Sequence, residues 1–161
     1  MSPVLLENQS TAGAGGNWPR IHHRGDKRNV VRQINDLSCV SAAGQMLAHE
    51  YGVNITQEML IEEIGTPSTA YKLSEFLNRI EGEWIGGHVD PDNIEVYLEE
   101  IRTKPAIIAI LGEPQTMGHA VVVKGQNRLG NFQIFDPFDQ TRYSMSRESF
   151  IQFFSEVIVR I

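Results

Sequence analysis

Three observations predict an α+β fold, with helices in the N-terminal half and an antiparallel sheet in the C-terminal half. Apolar residues recur at helical spacing between Cys39 and Ile101. After Pro105 the pattern changes to short β-branched runs separated by Gly and Asn. The 161 residues, 41% of them hydrophobic, make one domain with one sizeable core.

Residues 1–28 read as a flexible arm or linker ahead of a domain spanning 29–161. Ser10 to Gly16 is Gly-rich, and His22 to Arg28 has no apolar period. The first helix starts at Asp36 or Ser38 as N-cap, which puts Cys39 in its first turn. Val40, Ala43, Leu47 and Tyr51 form one face, and Gly52 stops it. A second helix fits Ile55 to Ile64, with Asn54 as cap and Gln57 at the capping-box position. A third fits Ala70 to Ile80, where Leu73, Phe76, Leu77 and Ile80 make the stripe. A fourth opens on Asp90 and Pro91 and turns Ile94, Tyr97, Leu98 and Ile101 inward. Strands follow over residues 106–110, 120–124 and 132–135, then a short helix from about Arg147 and a last strand at 157–159.

Twenty acidic against fourteen basic residues give a net charge of −6, which argues against nucleic acid as a partner. No apolar run is long enough to cross a bilayer, so no membrane is expected either. The N-terminus carries no basic region followed by an apolar core, so export would need a route that reads no signal peptide, or a longer polypeptide. A single cysteine excludes an internal disulfide and a Cys-rich zinc site.

That lone thiol is either a small core residue or a reactive one. Its place in a helix's first turn favours reactivity, because unpaired N–H groups and the helix dipole stabilise a thiolate. Among five histidines, His49 lies ten residues along the same helix, roughly 15 Å away and out of reach. His119 opens an apolar strand, and Asp136 ends the next one. A hairpin turning at 126–131 brings both to one edge, as a base and the group that orients it require. Gln33, six residues before Cys39, can add a side-chain amide to the Cys39 N–H as oxyanion donors. Gly86 and Gly87 are candidates for lining a cleft where a substrate backbone approaches, although a plain turn is the simpler reading. Trp84 reads as a core aromatic.

The segments Gln33 to Ala42, Gly118 to Val123 and Phe132 to Pro137 resemble the glutamine–nucleophile, histidine and Asp-Pro motifs of papain-like cysteine peptidases. The likeness is closer to the bacteriocin-processing peptidases that cut after double-glycine leaders, and it covers about Val30 to Ile161. It departs at Val40, where the leader peptidases usually carry glycine, and in the short interval from Cys39 to His119. The resemblance implies a papain-like fold with the site in the cleft between its halves. It also implies a Cys39–His119–Asp136 triad assisted by Gln33, no cofactor or metal, and a protein or peptide substrate cut after small residues such as Gly-Gly. A small domain of this type is also similar to papain-fold toxins of bacterial secretion systems. That likeness implies a possible cognate inhibitor or immunity partner and action in a target-cell cytoplasm. Two alternatives share the fold: glutamine deamidation through the same thioester, and a catalytically silent binding module.

Overall fold

The computed structural model describes residues 16–24, 28–113 and 118–161, with backbone alone at residues 22–24. The linker-like run as far as Gly15 lies outside the described residues. The chain runs β1 (Ile21–Arg24), α1 (Cys39–Glu50), α2 (Gln57–Ile64), α3 (Ala70–Ile80) and β2 (Trp84–His88). A 3₁₀ turn then leads into α4 (Ile94–Thr103), β3 (Ile107–Leu111), β4 (His119–Gln126) and β5 (Phe132–Asp136). β6 (Thr141–Met145), α5 (Arg147–Phe153) and β7 (Phe154–Arg160) complete it.

The strands form one seven-stranded sheet in the order β1-β6-β5-β4-β3-β7-β2, and every pairing is antiparallel. Helices cover both faces. Val40, Ala43 and Leu47 of α1 share a cluster with residues of α2 and α3 and with Ile108, Ile110, Ala120 and Val122. Leu98 and Ile101 of α4 and Phe150 of α5 share a second with Ile107, Ala109, Val121 and Val123. The alternation along β3 and β4 therefore divides two cores, and all five residues of β3 are buried. The expected α+β, papain-like class holds, with α4 and α5 adding a third layer.

Four elements differ from the sequence reading, β6 among them, where no strand is expected. α2 starts at Gln57 and not Ile55: the Thr56 hydroxyl accepts the Met59 N–H and makes Thr56 the cap. Gly86 and Gly87 lie inside β2, paired with Ile158 and Val157. Residues 21–24, assigned to the arm, pair with β6 at the sheet edge.

Candidate active site

Cys39 is the first residue of α1, so its N–H has no acceptor within the helix. Ser38 precedes it as N-cap but does not cap with its side chain. Its hydroxyl donates to Asn35 O and accepts from Asn35 N–H, both at 3.1 Å, folding residues 35–38 into a tight turn. Cys39 is wholly buried, and Ala120 N–H points to its Sγ at 3.5 Å. Ala120 follows His119 directly, so the strand that carries the histidine also seats the sulfur.

Gln33 is buried, and its Nε2 donates to Asn35 O at 2.9 Å, which leaves its second amide hydrogen uncommitted. Its Oε1 has no partner among the described residues. The segment bearing Gln33 is pinned twice. Gln33 N–H donates to Pro137 O at 3.1 Å, tying it to the turn after Asp136. Beneath it, buried Gln57 accepts Ile34 N–H at 2.8 Å and donates to Arg32 O at 2.9 Å. Gln57 is thus a brace and not a capping-box residue, which explains why α2 begins where it does.

The β4–β5 hairpin closes through Asn127, whose side-chain oxygen accepts the N–H groups of Leu129 and Asn131, with Gly130 at φ 83°. Val122 pairs with Phe135. One further step of that register puts Val121 opposite Asp136 and makes His119 its diagonal neighbour on the same face. There His119 Nε2 and Asp136 Oδ1 are 2.5 Å apart, each side chain 1% exposed. Asp136 Oδ1 also accepts Phe138 N–H at 2.9 Å, and its Oδ2 accepts the Tyr143 hydroxyl at 2.6 Å. The Tyr143 oxygen in turn accepts Trp18 Nε1–H at 2.9 Å. The Trp18 ring stacks on the imidazole, centroids 5.9 Å apart and planes 21° from parallel. Phe138 meets the same ring edge-on.

With Nε2 committed to Asp136, the other ring nitrogen of His119 is the one left to face Cys39. Burial pushes the imidazole toward its neutral form. The Asp136 charge and hydrogen bond, helped by the thiol, outweigh that and raise its pKa from 6.5 to about 10. The histidine is therefore an imidazolium at neutral pH, beside a sulfur at a helix N-terminus. That sets a cationic proton donor beside the sulfur.

The structure brings Cys39, His119 and Asp136 together and places Gln33 on the segment leading to Cys39. It does not bring Gly86 and Gly87 there. β2 is the far edge of the sheet, three strands from β4. A Cβ on Gly86 would lie 2.6 Å from Ala70 O, so glycine is needed there for α3 to pack on the strand. Trp84 is a buried core residue held by Glu81 O. Trp18, Tyr143 and Gln57 carry no motif. A tryptophan in an otherwise polar, Gly-rich arm was the one available signal. Among the described residues, no cluster of three or more His, Cys, Asp or Glu is placed to hold a metal ion, and no helix is long and apolar enough to cross a membrane.

A thiol at a helix N-terminus facing a sheet-borne histidine, on this fold, defines a papain-like cysteine peptidase. Residues 27–161 match the model of the Peptidase C39 family, and the chain belongs to that family. It is 32% identical over 151 residues to cysteine protease effector 1 of Escherichia coli O1:K1:H7, a match covering 93% of this chain and 29% of that protein. The chain therefore spans under a third of that relative's length. Its fold is similar to a double-glycine-motif protease from an AMS/PCAT transporter, solved in complex with the leader peptide. There the TM-score is 0.65 at 22% identity, over 87% of this chain and 95% of that one. The peptidase domain of Streptococcus ComA gives a TM-score of 0.65 at 24% identity, over 80% and 94% of the two chains.

Proposed function

We propose that this cysteine peptidase works through a Cys39–His119–Asp136 triad, with Gln33 Nε2 and Cys39 N–H binding the oxyanion. The observation that carries the assignment is the buried His119, held by Asp136 at 2.5 Å on one nitrogen and followed in its strand by Ala120, whose N–H meets the Cys39 Sγ at 3.5 Å. The thiolate adds to the peptide carbonyl, and the negative oxygen that forms is met by donors pre-placed for it. His119 gives its proton to the departing amine as the C–N bond breaks, leaving a thioester on Cys39. It then takes a proton from water, which attacks the thioester, releases the acid and restores the thiolate–imidazolium pair. Asp136 keeps the imidazole in one tautomer throughout.

The depth of the sulfur bears on specificity. Cys39 is 0% exposed, so the substrate chain must be slender where it reaches the nucleophile. This supports cleavage after small residues, as does the likeness to a double-glycine-motif protease. The substrate is a peptide or a protein segment in extended form. The effector named among the relatives supports a role as a delivered bacterial toxin domain, restrained in its producer by a cognate inhibitor or immunity protein.

The test incubates wild-type protein and Cys39→Ala with a bacterial lysate and maps new protein termini. New termini following a shared pair of small residues, absent with the variant, are the expected result. Deamidated glutamines on uncut chains would replace proteolysis with the deamidase chemistry, and equal cleavage by both proteins would remove Cys39 from the mechanism.

A further inference from the structure

The segment ahead of β1 is folded against the site. Trp18, 4% exposed, lies on the His119 ring and donates through Tyr143 to Asp136. The direction of this chain is fixed, because an indole N–H can only donate: Trp18 to Tyr143, Tyr143 to the carboxylate. The Arg20 guanidinium lies over both rings, 5.3 Å from Trp18 and 4.9 Å from Tyr143. It also donates to Gly16 O at 2.9 Å and Trp18 O at 3.2 Å, closing the segment on itself. A Cβ on Gly16 would stand 1.9 Å from the Trp18 ring, so only glycine lets the ring occupy this place. β1 then pairs with β6, the strand that carries Tyr143, with Ile21 opposite Ser144.

We infer that residues 16–24 are a working part of the active site, with Trp18 and Tyr143 as positioning residues that fix the Asp136 carboxylate and the His119 ring in one orientation and keep water from their hydrogen bond. The inference rests on the proposed roles of His119 and Asp136. A carboxylate held at one oxygen can swing about its remaining bond, whereas Asp136 is held at both, by Phe138 N–H and Tyr143. The stacked indole closes one face of the imidazole that water would otherwise reach. Burial and the Asp136 charge raise the Tyr143 pKa well above 10, so its hydroxyl stays a donor. The family match begins at residue 27, after this segment. The match to the E. coli relative covers 93% of the chain and so necessarily spans it.

The experiment uses the full chain and two readouts, cleavage of a fluorogenic peptide ending in Gly-Gly-aminomethylcoumarin and alkylation of Cys39 by iodoacetamide. Trp18→Ala and Tyr143→Phe are expected to lower kcat by ~10- to 100-fold, the scale of a misplaced catalytic group, with KM little changed and alkylation slowed. Trp18→Phe keeps a ring on the imidazole and recovers part of the loss. In a Tyr143→Phe background Trp18→Phe adds nothing, because the indole N–H acts only through that hydroxyl. Wild-type kcat and alkylation in Trp18→Ala overturn the inference, as does a loss in Tyr143→Phe that merely follows its folded fraction by circular dichroism. If Trp18→Ala does not fold, Trp18→Phe and Tyr143→Phe decide by the same criteria. His119→Ala separates the two levels. If it reacts like wild type, the triad itself is wrong; if it is inert while Trp18→Ala is normal, only this inference falls.

Discussion

Two buried polar groups on the same sheet are treated in opposite ways. On β5, Asp136 is 1% exposed, and each of its oxygens has a donor. On β7, Glu156 is also 1% exposed, yet neither oxygen has a hydrogen-bond partner among the described residues. Glu156 stands opposite His88 in the β2 ladder, and His88 Nε2 is buried and has no partner among the described residues either. Burial alone raises the Glu156 pKa from 4.5 to about 7. At the β4–β5 end the same depth raises a histidine instead, because a fixed carboxylate lies against it. Depth does not decide which charge survives in this fold; the number of donors aimed at the carboxylate does.

The largest expected effect comes from emptying the filled site. Asp136→Asn removes the charge that raises His119, so the alkaline limb of kcat/KM moves from about 10 toward 6.5. Turnover falls ~100-fold or more as the imidazole loses its fixed tautomer. A pH–rate profile checks both, and an unmoved alkaline limb would show that Asp136 does not set the histidine. The same shift makes a stability statement. The folded pKa of His119 lies above its unfolded value, so its contribution is complete below about 6.5 and is lost as pH rises to about 10.

Relieving the unfilled site runs the other way. The folded pKa of Glu156 is also raised, so its burial carries no ionisation penalty below about 4.5 and a growing one up to about 7. Glu156→Gln is therefore expected to stabilise the protein by ~2 kcal/mol at pH 8 and by little at pH 4. Thermal unfolding at the two pH values measures it, and equal melting shifts at both would mean the carboxyl has found a partner. Smallest is Ser41→Ala. The Ser41 hydroxyl, two residues past Cys39, is buried without a partner among the described residues. Its removal is expected to stabilise by under ~1 kcal/mol and to leave kcat unchanged. A marked loss of activity would put Ser41 in the mechanism.

The sequence made the helices legible because their apolar stripes face one core each, and it made Cys39, His119 and Asp136 legible because two adjacent strands and a helix start fix their places. Elements whose reason lies elsewhere in the chain stayed hidden. β2 looked like a turn because Gly86 is there for the backbone of α3, not for its own strand propensity. β6 is half polar, and Tyr143 has its meaning only beside Asp136. Trp18 is separated from the histidine it covers by a hundred residues of sequence, a distance that no local pattern spans.

The bond from Gln33 N–H to Pro137 O joins the segment before Cys39 to the turn after Asp136. Loop amides ordinarily trade their hydrogens with solvent within the time of local fraying, whereas this one is released only when the two loops part. Deuterium uptake at Gln33 therefore reports how often the site comes apart. An amide in an irregular segment that exchanges as slowly as those of β4 would mean the Gln33 and Asp136 segments open only together.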